Sequence, residues 1–446
     1  MRSLRTDLRL AWQLTRGTDR REWWRAALTA VGAALATAFA LAAVVLASLR
    51  GSRSIPLAAG LLNSPGTRSG VVLGLLLLLL PVLGFLGQCA RIGAAHRDRR
   101  LAGLRLAGAT PWQVRRIAAL ETGLACALGS AVAAVCAVPV SARLGDGPAV
   151  PVWAAIALVA VAVPVLGAAA GVLALRRVVV SPLGSVRRTG PRDGRGSGAL
   201  FLCGLLLAAV AALLTAAAAS GAPQGSSGGP PLPLAGGILA AGAGAVWLSG
   251  ATARITGRLL AVRARSAATL IAAERLRDDP WSAARTHAAV LLVTVAGTGF
   301  LGVRQVLADV VRDRPDASYY LTGVNLTGTA LAVALAITLS GLAVGTAESL
   351  ATRRRGLAAQ AAAGVPRSVL GRALLLETAL PLAPAVLLAG LGGTAIGVRY
   401  AVFAGEAVPW TPALAPVAVY AACLLAAATS LPLLRRTVCP GELRYA

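Results

Sequence analysis

Lysine is missing from this 446-residue chain, in which all 43 basic residues are arginine. A P-loop needs a lysine on the nucleotide phosphates, and Schiff-base chemistry needs a lysine amine, so the chain can perform neither. Charge is scarce as well. Charged residues make up 13% of the chain, against about a quarter in soluble domains, while hydrophobic residues reach 57%. Together with a mean hydropathy of +0.73, this sets aside a water-soluble fold and predicts an all-α polytopic membrane protein. Aromatics contribute only 4%. The apolar mass is Ala, Leu, Val and Gly, a mixture that lets membrane helices approach closely.

Chemistry-bearing residues are equally sparse. His96 and His287 are the only histidines, and no cysteine or carboxylate stands near them at ligand spacing. Of six cysteines, Cys89, Cys126, Cys136, Cys203 and Cys423 lie in apolar runs and Cys439 near the end. Buried free thiols are expected, rather than disulfides or a metal site. No nucleophile–base or paired-carboxylate arrangement stands out, so no catalytic residue, metal or cofactor of the chain's own is expected. The chain does not read as an enzyme.

What is present is arginine, for a formal net charge of +26. The arginines fall in short clusters between apolar runs, where membrane topology and anionic headgroups explain them better than nucleic acid does. No nucleic-acid partner is expected, and the bilayer is. Ten runs are long enough to span it: 26–49, 71–90, 117–140, 152–175, 199–219, 232–248, 285–303, 326–347, 373–398 and 414–434. With the N-terminus inside, 35 arginines are cytoplasmic and eight are outside. The positive-inside rule then makes both termini cytoplasmic. Trp23, Trp24 and Trp281 suit an inner aromatic belt, and Trp153, Tyr320 and Trp410 an outer one.

The runs group as four, two and four. Residues 1–25 are expected to form a cytoplasmic leader with an interfacial helix, and 26–183 a first four-span unit. A Gly/Arg linker at 184–198 leads to two central spans at 199–250, and a cytoplasmic connector at 251–284 to a second four-span unit at 285–436. A cytoplasmic tail, 437–446, closes the chain. No outer loop exceeds about 22 residues, so no folded extracytoplasmic domain is expected.

A repeat at an offset of 256 residues links the two units. Residues 108–122 read GATPWQVRRIAALET and 364–378 read GVPRSVLGRALLLET. Gly108 matches Gly364, Arg116 matches Arg372, Glu121 matches Glu377 and Thr122 matches Thr378. Each copy follows an arginine cluster, Arg97 with Arg99 and Arg100, or Arg353 to Arg355, and each runs into a span. In the first copy Leu101 and Leu104 mark one side of a short helix that Gly108 can end in a left-handed conformation. Thr110 as N-cap, Pro111 as N1 and Gln113 as N3 form a capping box for the third span. In the second copy Val365 is expected in place of the capping threonine, with Pro366 retained and a weaker cap.

The segment HRDRRLAGLRLAGATPWQVRRIAALET resembles the loop of FtsX-like (MacB-type) ABC transporter permeases, and RLRDDPWSAART, residues 275–286, resembles the segment before the first span of such a unit. Four plus two plus four spans is similar to the family's ten-span branch, which includes bacitracin-efflux-type permeases. That branch usually carries a large extracytoplasmic domain, which this chain lacks by the loop lengths above. The resemblance implies a permease subunit coupled to two copies of a cytoplasmic ABC ATPase, which holds the ATP and Mg. It implies ATPase-coupling roles for Arg99, Arg100, Leu101, Leu104, Arg105, Gly108, Thr110 and Pro111, and for Arg354, Arg355, Gly364 and Pro366. A bacterial plasma-membrane exporter of a hydrophobic or amphiphilic compound is the leading expectation.

Glu121 and Glu377 sit about one turn inside their spans without an arginine three or four residues away, so each needs a partner from another helix. A structural ion pair, a latch that changes partner, and a proton-carrying site are the three readings. An ion-coupled secondary transporter using both carboxylates is the alternative function. A third is a regulatory membrane scaffold that signals to a sensor kinase without moving cargo.

Overall fold

The computed structural model describes residues 20–49, 62–63, 65–89, 103–104, 106–143, 150–174, 232–278 and 280–437. Among them about 90% are helical and none lies in a strand. Twelve α-helices are described: α1 Arg20–Ser48, α2 Pro65–Cys89, α3 Pro111–Arg143, α4 Val150–Ala174, α5 Leu232–Arg263, α6 Ala267–Asp278, α7 Pro280–Val311, α8 Ala317–Thr352, α9 Arg354–Ala362, α10 Arg367–Ala404, α11 Ala415–Ala428 and α12 Leu431–Thr437. The expected interfacial helix at 1–16, the linker at 184–198, the fifth run at 199–219 and residues 438–446 of the tail lie outside the described residues.

Among the described residues, six helices are long and apolar enough to cross a membrane: Trp23–Ser48, Trp112–Pro139, His287–Val311, Ala317–Thr352, Arg367–Val402 and Thr411–Leu434. They coincide with the first, third, seventh, eighth, ninth and tenth predicted runs. The second and fourth fall on shorter apolar helices, Gly74–Leu86 and Trp153–Ala169. The sixth is the first half of α5, which continues to Arg263.

The helices overrun the predicted spans, because hydropathy marks the lipid-facing part while backbone hydrogen bonding continues into polar sequence. α7 begins at Pro280, five residues before Arg285, and the 38 residues of α10 extend about 57 Å against a hydrocarbon core of about 30 Å. Extension of α7 and α8 also shortens the segment between them. The predicted loop of about 22 residues is in fact only residues 312–316.

The chain divides into two compact units, Met1–Arg188 and Thr189–Ala446. In the first, α1 packs on α2, α3 and α4, and α3 packs on α4. A Cβ on Gly129 of α3 would collide with the Ala30 carbonyl of α1, so glycine sets that close approach. Beside it Thr37 and Ser130 share a buried hydrogen bond of 2.8 Å. Arg68 ties the segment after α1 by donating to the carbonyls of Leu49 at 2.6 Å and Leu62 at 3.1 Å, satisfying groups that a helix end leaves open.

In the second unit α7 packs on α10, α5 and α8. Val290, Leu291, Leu342, Leu382, Val386, Val419 and Cys423 make its core, and Ala245 brings α5 into it. The described central helix therefore belongs to the second unit's packing. Buried threonines along α7 return their hydroxyls to their own helix, Thr294 to Val290 O and Thr298 to Thr294 O, both at 2.8 Å. That keeps these hydroxyls satisfied where lipid offers no partner.

Candidate functional site: two levers and two carboxylates

The repeated segment folds the same way in both units. In the second, α9 is a nine-residue helix that ends with Gly364 at φ +90°. The amide of Val365 donates to Gln360 O at 3.0 Å and that of Gly364 to Ala361 O at 3.0 Å. These are the two bonds of a Schellman ending, which requires the left-handed glycine. In the first unit, Gly108 has φ +95° and the amide of Ala109 donates to Leu104 O at 2.9 Å. Ala107 to Gly103 and Ala363 to Ala359 are also matched, both at 2.9 Å. The bonds of Ala107 and Ala109 recur 256 residues later in Ala363 and Val365, so the repeat is one of backbone geometry as well as letters.

The start of the following span differs. Thr110 and Gln113 form the predicted capping box: the Gln113 amide donates to Thr110 Oγ1 at 3.3 Å, and the Thr110 amide to Gln113 Oε1 at 2.9 Å. In the second unit the N-cap is Pro366, with no side-chain cap bond. This corrects the expectation that Val365 stands in the threonine's place. At the 256-residue offset Pro366 is the counterpart of Thr110, and a proline has no hydroxyl to offer.

Leu357 of α9 is fully buried against Leu350, Leu370 and Leu434, fastening the lever to α8, α10 and α12. Its other side, with Gly356, Ala359 and Ala362, is exposed. In the first lever Leu106 is 69% exposed and Trp112 at the start of α3 is 67% exposed. Neither was singled out by sequence, although a bulky apolar residue two positions before the turn glycine is a readable signal. Arg99, Arg100, Leu101 and Arg105 lie outside the described residues, and of Pro111 and Arg355 only the backbone is described. Leu104 is half-buried and Arg354 donates to Ala351 O at 3.2 Å.

Ten residues into each long span, about 15 Å along it, stands the repeated glutamate. Glu121 is 2% exposed and pairs with Arg25 of α1, itself buried. Glu377 has different partners. Arg353, at the junction of α8 and α9, places Nη1 2.6 Å and 2.9 Å from its two carboxylate oxygens. Arg275 of α6 reaches it at 3.4 Å and donates its other Nη to Gln360 of the lever at 3.3 Å. Burial pushes the Arg275 guanidinium below its ordinary pKa, while the Glu377 carboxylate opposes that fall. Each carboxylate therefore has a partner from another helix, as its spacing demanded. Glu377 joins connector, lever root and span at one point.

Residues 70–183 match the family model described as FtsX-like permease C-terminal. The matched stretch contains most of α2, the turn at Gly108, α3 with Glu121, and α4. No curated protein matches the chain. The matched family consists of membrane transport subunits that are generally not catalytic themselves and usually pair with a cytoplasmic ABC ATPase. The chain is thus a multi-pass membrane protein in which residues 70–183 are similar to the FtsX-like permease C-terminal domain.

Proposed function

We propose that, with an FtsX-like domain as premise, this chain is the permease subunit of an ATP-driven exporter of the ten-span kind. Two copies of a separate cytoplasmic ATPase, carrying the ATP and Mg, dock on the two levers. Both termini lie in the cytoplasm of a bacterial cell, and the cargo is a hydrophobic or amphiphilic compound drawn from the bilayer. The observation that carries this reading is the recurrence of one turn, with two matching backbone hydrogen bonds and a positive-φ glycine, before an apolar span in each unit.

The geometry gives the coupling a route. A Schellman turn fixes the angle between lever and span, so displacement of α9 swings the start of α10, which begins three residues after Gly364. Glu377 then passes the motion to α8 through Arg353 and to α6 through Arg275. In the first unit Glu121 passes it from α3 to α1 through Arg25. Both carboxylates are engaged by arginines of other helices, which supports a force-transmitting ion pair over the ion-coupled alternative. The short segment 312–316 between α7 and α8 supports a cargo taken up within the bilayer rather than by an outer domain.

The test is ATP hydrolysis by the co-purified ATPase in proteoliposomes. The chain is expected to stimulate it, and Gly108→Val or Gly364→Val to remove the stimulation while the complex stays intact. Cargo movement driven by a pH gradient without ATP would overturn the proposal.

A further inference from the structure

The second unit holds a cavity beside Glu377. It lies among α6, α7, α8, α10, α11 and α12 and has a volume of about 100 Å³. Arg353 and Glu377 both stand on its wall and are already paired with each other, so the lining holds no net charge that would select an ion. What remains of the polar wall is neutral. Ser349 and Thr378 present hydroxyls that form no hydrogen bond among the described residues. Thr346 and Ser430 donate to Ala343 O and Ala427 O, which leaves their oxygens as acceptors. His287 lines the wall as well, 3% exposed, and its Nδ1 has no hydrogen-bond partner. Leucines close the rest.

A molecule suited to this wall must be small and uncharged and must both donate and accept hydrogen bonds. A buried water needs about two to four polar partners and roughly 30 Å³ of space. The Arg353 side chain is 32% exposed, which gives water an entrance. We propose that this cavity is a hydration site, holding about three water molecules, and that this water lets Arg353 and Glu377 part and re-form as the lever moves. Separating paired charges in a dry interior is costly, because nothing replaces the lost partner. The first unit presents that case, with Arg25 and Glu121 both buried. Water beside Glu377 takes the place of the departing guanidinium. The hydration stands on the cavity alone, whereas its part in the motion rests on the coupling proposed above.

The experiment is X-ray radiolytic footprinting of the full chain in nanodiscs, where hydroxyl radicals born from a bound water mark the side chains beside it. Leu276 and Leu342 line the cavity and Leu291 and Leu382 do not, although all four are no more than 2% exposed. The lining pair is expected to be labelled faster, and Ser349→Leu, which fills the cavity, to abolish the difference. The same variant is expected to lose stimulation of the co-purified ATPase while the complex stays assembled. Thr378→Val, close in shape, is expected to lower the labelling and carries the comparison if Ser349→Leu does not fold. Equal labelling of the two pairs in wild type would overturn the hydration site, whatever the ATPase does. Full stimulation by a folded variant that has lost the labelling would overturn the part played in the motion. Absence of stimulation by wild type would instead contradict the function proposed above, and with it the motion, while the labelling still decides the hydration.

Discussion

The two units carry the same lever and hold it differently. In the first, a capping box launches the span, a buried Arg25–Glu121 pair fixes it to its neighbour, and Leu106 and Trp112 stand exposed. In the second the cap is absent, and Glu377 is shared by two arginines and borders a cavity. The counterparts of Leu106 and Trp112 are the small residues Ala362 and Ser368. Duplication has preserved the turn, which depends on a positive φ, and the arginine-paired carboxylate, and has released the cap, the carboxylate's partners and the bulky exposed residues. On the proposed function, the first unit offers the larger exposed apolar surface to a motor, and the second holds its carboxylate in a wider arginine network.

The comparison is most exposed at the carboxylates. Glu121→Ala strands Arg25 in a dry site and is expected to cost about 3–5 kcal/mol of stability in nanodisc thermal unfolding. Glu377→Ala leaves its arginines nearer to solvent and is expected to cost about 1–2 kcal/mol. Equal losses would erase the distinction between the units. Next come the exposed faces. Leu106→Ser with Trp112→Ser is expected to weaken ATPase association about tenfold by pull-down titration, whereas Ala362→Ser leaves it within twofold.

Smaller effects sharpen the same contrast. Gly108→Val and Gly364→Val put a β-branched residue at positive φ, at about 1–2 kcal/mol each, and these costs should match because the turns do. Thr110→Ala is expected to lose about 1 kcal/mol through the broken cap. Pro366→Ser has no cap bond to lose and is expected to change stability by less than about 0.5 kcal/mol.

Much of this was legible in the sequence for physical reasons. Apolar runs report burial in lipid, a Gly-x-Thr-Pro string encodes both a helix stop and a helix start, and two intramembrane carboxylates demand distant partners. The identity of those partners was not legible. Arg25 lies 96 residues from Glu121 and Arg275 lies 102 from Glu377, and only tertiary packing selects them from 43 arginines. Helix ends were misjudged wherever polar sequence continued an apolar helix, as at Pro280. The expected cap at Val365 set one proline on the other across the turn, whereas the 256-residue offset and the backbone both place Pro366 on Thr110.

The central claim is that an external motor touches both levers. The direct measurement replaces residue 106 or residue 362 with a photo-crosslinking amino acid in cells that co-express the partner ATPase. Adducts between the ATPase and each position are the predicted result. Absence of ATPase adducts at either position, with the complex otherwise assembled, would contradict the account.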